Sequence, residues 1–356
     1  MPSPDLLQQG AHVMTVCNSC RYCEQYCPVF PAMEERRTFG KADLAYLANL
    51  CHNCGECLYA CQYAPPHEFG INVPKTLTNI RLQTYEDYCW PHVLGAAFRR
   101  QGVLTALALV LGFSALMLLT RRPGPLDPVE PPTFYSVVPY EVMVTLFGGV
   151  FLFVVVALSI AVQRFRREIG AATGGGGANG LRDVLTLRHL HGSGVDCASG
   201  EERRSPWRRW FHHLTFYGFL LCFGSTSAAA IYHHVFGWIA PYSYTSIPVV
   251  LGTLGGLGLV AGPAGLLVLR RRRDPDLGRP AQDGLDESFI ALLLLTSVTG
   301  LALLIWRDRA LMNALLITHL ATVLALFVTL PYGKFVHGLY RTAALMAFRS
   351  SLASEM

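Results

Sequence analysis

The sequence predicts an all-α membrane protein in two parts, a cysteine-rich domain over residues 1–95 and a bundle of six membrane-crossing helices over 96–345. Three observations carry this expectation. Eight of the eleven cysteines lie in the first 61 residues. Composition is 52% hydrophobic with only 15% charged residues, and mean hydropathy is +0.34, values typical of membrane chains. From Phe211 to Leu269 there is no Asp, Glu, Lys or Arg.

The N-terminus, MPSPDLLQQGAHVMTV, has neither a basic start nor an apolar core of useful length, so it does not read as a secretory signal. Thiols in a reducing compartment stay unpaired, and dense cysteines there point to metal. Cys17, Cys20, Cys23 and Cys27 follow C-x2-C-x2-C-x3-C-P, with Pro28 in the proline place. This is the bacterial ferredoxin run for a 4Fe–4S cluster, in which the fourth cysteine ligates the other cluster. Cys51, Cys54, Cys57 and Cys61 repeat the spacing, with Gln62 where proline is expected. The crossed assignment puts Cys17, Cys20, Cys23 and Cys61 on one cluster, and Cys51, Cys54, Cys57 and Cys27 on the other. In each run, three thiols at steps of three suit a tight loop, and the fourth the start of a helix. Zinc sites usually supply ligands as separated pairs, which two uninterrupted runs of four do not. The front of the chain therefore reads as a bacterial-type two-cluster ferredoxin-like domain. Cys89, Cys197 and Cys222 stand outside the pattern and read as ordinary buried or loop cysteines.

Apolar stretches at about 103–120, 142–162, 211–236, 247–269, 288–306 and 310–332 each meet the roughly 20-residue length of a membrane span. Pro241 and Pro248 divide the long charge-free stretch into spans three and four. The loop 163–210 carries nine arginines, among them Arg164, Arg182, Arg188 and Arg208, and the loop after span four carries Arg270 to Arg273. By the positive-inside rule both loops, both termini and the cysteine domain are cytoplasmic, and the chain is a multi-pass protein of the cytoplasmic (inner) membrane. Arg121 and Arg122 after span one oppose this mildly. The net charge of +5 follows from these loops and calls for no nucleic-acid partner.

Histidines cluster at span ends: His212 and His213 open span three, His233 and His234 close it, His319 lies near the start of span six and His337 just beyond its end. The 18 residues from His319 to His337 would cover about 27 Å of continuous helix, close to the hydrocarbon thickness. If spans three and six are antiparallel neighbours, His337 faces His212 or His213 at one depth and His319 faces His233 or His234 at the other. Two bis-histidine b-type haems require that arrangement. The alternative is interfacial histidines bonded to headgroups or carbonyls. Helix phase does not choose between members of a pair. Lys334, Arg341 and Tyr332 surround His337 and could bond a quinone carbonyl or a haem propionate, or the two basic residues could serve as anchors on the cytoplasmic side.

No Rossmann fingerprint and no nucleophile–base pair is present. The glycines of GTLGGLGLVAGPAG (252–265) fall inside a span and read as a close helix contact. The charge-free spans argue against a transporter.

Residues 17–39 (CNSCRYCEQYCPVFPAMEERRTF), with RRWFHHLTFYGFLLCFGST (208–226) and TLPYGKFVHGLYR (329–341), resemble the citrate/tricarballylate-utilization protein B family over nearly the whole chain. The six-span part is distantly similar to the haem-bearing gamma subunit of membrane nitrate reductases. The resemblance implies an electron-transfer component of an oxidoreductase system. Electrons would come from the reduced flavin of a soluble FAD-dependent dehydrogenase, tricarballylate dehydrogenase, and pass through clusters and haem to the quinone pool. The competing expectation is a haem-free, ferredoxin-like membrane anchor for a soluble redox partner.

Overall fold

A computed structural model describes residues 4–120, 134–170, 177–190, 206–272, 280–309 and 311–354. Among them every regular element is a helix. Cys197, Arg121 and Arg122 lie outside the described residues.

The cysteine domain is built from α1 (Pro4–Cys20), α2 (Val29–Glu34), α3 (Lys41–Leu50), α4 (Glu56–Tyr59) and α5 (Val73–Tyr88). Asn72 caps α5, its side chain accepting from the Lys75 amide at 3.0 Å, with Pro74 in the first turn, where a missing N–H costs nothing. α1, α3 and α5 bury Met14, Leu44, Leu47, Leu77 and Ile80 against one another.

That core is completed from far along the chain. α15 (Phe335–Ser354) presents Val336, Tyr340, Ala344 and Phe348 to it, a helical stripe at steps of four, with Leu345 beside it. Ala161 and Phe165, at the end of α9 (Tyr140–Glu168), join them. α10 (Gly177–Leu185) holds α15 from outside. Asp183, nearly fully buried, accepts from Arg349 at 2.6 and 2.7 Å and lies 3.4 Å from His189. Residues 335–345, which the sequence reading assigns to the membrane part, thus pack on the cysteine domain. α6 (His92–Arg100) links the two parts. Its start is clamped by Arg164 of α9, which donates to the Cys89 carbonyl at 2.8 Å.

Six helices are long and apolar enough to cross a membrane. They are α7 (Gly102–Thr120), α9, α11 (Trp207–Phe236), α12 (Ile247–Arg271), α13 (Pro280–Trp306, apolar from Gly284) and α14 (Met312–Thr329). Leu104, Leu111, Leu119, Leu152 and Leu220 point outward, as lipid-facing side chains do. α11 lies along α12 with backbones almost touching: a Cβ on Gly255 would sit 2.8 Å from the Cys222 amide, and one on Gly258 3.0 Å from the Leu214 carbonyl. This is the close contact that the glycine run predicts. Cys222 packs into it, and Cys89 is buried under Gly95.

Two expectations are corrected. Spans three and six are not packing neighbours: α14 sits among α7, α13 and α9, whereas the glycine face of α12 takes α11. Nor does one helix run from His319 to His337. α14 stops at Thr329 and α15 starts at Phe335, because Pro331 lacks the amide a continuing helix needs.

The cysteine domain meets the bundle at the starts of α7, α11 and α13 and the ends of α9, α12 and α14. Arg164, Arg208 and Arg270 lie at that same end.

Candidate metal centres and the histidine cluster

The thiols are set by local backbone. Cys17 and Cys20 occupy the last turn of α1, on a helix rather than a loop. Arg21 then takes a left-handed φ of 53° and turns the chain so that Cys23 follows in a tight turn. Cys27 precedes Pro28 and α2. Cys51 caps the end of α3, and Asn53 (φ 55°) and Gly55 (φ 93°) fold the second loop, with the Asn53 amide 3.3 Å from the Cys51 sulfur. Gly55 is one place where a side chain would be strained.

Two cavities result. Cys17, Cys20, Cys23, Cys57 and Cys61 line one of about 230 Å³, walled by Val16, Phe30, Ile71 and Val73. Cys27, Cys51, Cys54 and Cys57 line a smaller one of about 20 Å³, which Arg341 and His52 also reach. Among the described residues, no three His, Cys, Asp or Glu side chains converge closely enough to hold a single metal ion. Burial pushes the Cys17 thiol up to about 12, and Cys61, Cys23 and Cys20 add to the effect. Burial, then Cys54 and Cys51, raise Cys27 in the same way. Four apposed thiolates need compensating positive charge, which iron supplies, so the donor chemistry fits an iron–sulfur cluster at each cavity, with largely apolar walls at the first. Gln62, in the proline place, puts its amide 3.9 Å from the Cys20 sulfur.

The second loop is held from within the cysteine domain and from α11 and α15. Arg81 of α5 donates to the Cys51 carbonyl at 2.6 Å, Arg341 of α15 to that of Leu50, and Arg208 of α11 to those of His52 and Asn53 at 3.2 and 3.1 Å. His52 lies between two candidate haem residues, 6.1 Å from His212 and 5.7 Å from His337 by ring centroids. Nδ1 of His337 is buried with no hydrogen-bond partner. His213 instead stacks on Tyr217 at 5.7 Å. Sequence reasoning misses His52, although CHNC places it inside a ligand run, and it misses the role of Arg81.

The far-end histidines are not brought together as expected. His319 Nδ1 is 3.1 Å from the Thr296 carbonyl and 3.2 Å from the Thr299 hydroxyl, so the ring faces α13. His234 Nε2 bonds Tyr140 at 2.9 Å, and His233 lies against Tyr140 and against Tyr135 of α8 (Phe134–Val137). The reason is the helix order already described: α11 and α14 are parted by other packing. At this end the structure records contacts of His319 with Thr296 and Thr299, and of His233 and His234 with Tyr135 and Tyr140. The proposed quinone or propionate contacts are also engaged within the protein. Lys334 pairs with Asp286 at 3.1 Å, Tyr332 donates to the Trp90 carbonyl at 3.1 Å, and Arg341 is committed to Leu50.

Residues 10–87 match the Fer4-like domain of citrate utilization protein B, and residues 97–355 match the citrate utilization protein B family itself. Citrate utilization protein B of Escherichia coli is 50% identical over 339 residues, covering 94% of this chain and 89% of that protein. No solved structure matches. A Fer4-like domain ringed with thiols, joined to six apolar helices, defines an iron–sulfur electron-transfer protein of the multi-pass membrane class. The chain belongs to the citrate utilization protein B family.

Proposed function

We propose that this chain carries electrons from the reduced flavin of a soluble FAD-dependent dehydrogenase, tricarballylate dehydrogenase, through two 4Fe–4S clusters into the membrane and on to quinone. The observation that carries this reading is the docking of the second cysteine loop on α11 and α15 through Arg208, Arg341 and His52. An electron held at that loop is already at the bundle surface. Cys17, Cys20, Cys23 and Cys61 would hold one cluster, and Cys27, Cys51, Cys54 and Cys57 the other, each accepting and releasing one electron. Two such passages match the two electrons of a reduced flavin and the two, with two protons, taken up by quinone. The arginines gathered at the cysteine end support a cytoplasmic face for that end and for both termini, in the inner membrane.

One b-type haem on the cluster side, held by His337 and His212, belongs to this reading; the orphaned His337 nitrogen supports it. The haem-free anchor is the second reading, favoured by the engagement of His319, His233 and His234 with other groups. Absorbance of the purified protein separates them: reducible b-type bands that vanish in His337→Ala support the haem, and no such bands in the parent favour the anchor. For the relay itself, membranes lacking this chain should leave the dehydrogenase flavin reduced in the presence of substrate. Undiminished quinone reduction without it would sink the proposal.

A further inference from the structure

The two cysteine cavities differ in their charge. Besides its cysteines, the first is lined by Val16, Tyr22, Phe30, Ala60, Gln62, Tyr63, Ile71 and Val73, with no basic side chain. Tyr22 at its mouth is 62% exposed. Arg341 lines the second, and Arg81 and Arg208, from two other helices, bond the backbone of the loop that forms it. Arg81 is 2% exposed and Arg341 7%. Their hydrogen bonds go to neutral acceptors: Arg81 to the Cys51 carbonyl and the Thr78 hydroxyl, Arg341 to the Leu50 carbonyl, Arg208 to the carbonyls of His52 and Asn53. Among the described residues, none of the three forms an ion pair with a carboxylate. Glu56 lies beside Cys54 and offsets part of this charge.

Buried cations without counter-ions are costly, and the protein interior tolerates them where a negative group stands opposite. The negative group available here is the thiolate set of Cys27, Cys51, Cys54 and Cys57 around its iron. Reduction adds one more negative charge to that site. Three fixed positive groups favour the added electron through a poorly screened medium, and net charge and hydrogen bonding are known levers on cluster potential.

We propose that Arg81, Arg208 and Arg341 make the second site the higher-potential one of the two, so that electrons enter at the solvent-open first site and leave for the membrane from the second. The inference rests on the two-cluster reading above and gives it a direction. The three arginines are positioning residues: they act on the reacting group through carbonyls and field. No additional reactant is needed, since each electron leaving the first site arrives at the second.

The test is an EPR-monitored redox titration of the anaerobically purified full chain. Two 4Fe–4S signals of unequal midpoint potential are expected. The higher should be the one lost in Cys54→Ser and kept in Cys20→Ser; the reverse order, or equal potentials, overturns the inference. Arg208 is half-buried at the domain contact, so it can be changed with least risk to folding. Arg208→Gln should lower the midpoint of the Cys54-dependent signal alone, and Arg208→Lys, which keeps the charge, should restore most of the shift. No shift in Gln, or an equal shift in Lys, overturns it as well, because a merely structural contact would not follow charge. If the parent protein gives no 4Fe–4S signal, the two-cluster reading falls and this inference with it. Two signals with the wrong order reject the inference alone.

Discussion

The imidazole of His52 lies edge-on to that of His337, their centroids 5.7 Å apart, and joins the second cysteine loop to the first turn of α15. Burial, then Arg341, holds His52 well below the usual histidine range, and burial, then Arg81, does the same to His337. Both rings are therefore neutral near pH 7, and their contact is apolar packing at the junction of the two parts.

His52→Ala removes this contact and the one with His212. Aromatic pairs of this kind contribute about 0.5–1.5 kcal/mol each. The variant should keep its cluster iron but loosen the junction, seen as faster amide exchange over 335–341. Parent-like protection would show that the rings only happen to be near one another.

Cys20→Ser and Cys54→Ser should each halve the cluster iron, from about eight atoms to about four, and on the proposed relay each should end electron passage to quinone. Iron analysis reads this directly. Full iron in either variant would remove that cysteine from the ligands.

The cysteine spacing and the apolar spans are legible because both are local properties: a cluster needs thiols at fixed steps, and a bilayer needs a fixed length of apolar helix. Which spans touch is not local. GTLGGLGLVAGPAG announces a close contact but not that Gly218 and Cys222 of α11 fill it, and so α14 is wrongly paired. Arg81 and Arg208 look like ordinary surface or loop arginines; only the fold aims both at one loop. Pro331 is visible in the sequence, yet the turn that sends α15 back over the cysteine domain depends on a core that α1, α3 and α5 leave open.

Asp183→Asn tests how α15 is held. Burial alone would raise the Asp183 carboxyl, but Arg349 and His189 outweigh it and hold the carboxyl below the usual range. A carboxyl so depressed stabilises the fold above its unfolded value, near 3.8, and that contribution is lost as pH falls through the lower folded value. At pH 7 the variant should cost about 1.5–3 kcal/mol, because the partly exposed guanidinium of Arg349 loses the charged acceptor that buried Asp183 provides. Proteolysis of α15 at neutral pH would report it. A difference that failed to shrink on strong acidification would contradict the assignment.

Gly255→Leu should force α11 from α12, since even a Cβ there would meet the Cys222 amide at 2.8 Å. Overpacking of this kind costs typically about 1–3 kcal/mol. Gly112→Leu, where no atom lies within 4 Å of an added Cβ, is the control. Thermal unfolding in detergent should separate the two, and equal midpoints would mean that the helices are not in contact there.

The last wall of the cysteine domain is made last. α15 leaves the ribosome roughly 250 residues after α5, which at about 5–20 residues per second is a delay of roughly 12–50 s. During that interval Leu47, Leu77 and Tyr88 lack the stripe of Val336, Tyr340 and Phe348 that covers them in the finished chain. Val336 and Tyr340 can reach them only when α14 has delivered the chain to the same side of the membrane. Maturation of the cysteine domain is thereby coupled to insertion, and a chain threaded the wrong way round would keep its redox head unfinished.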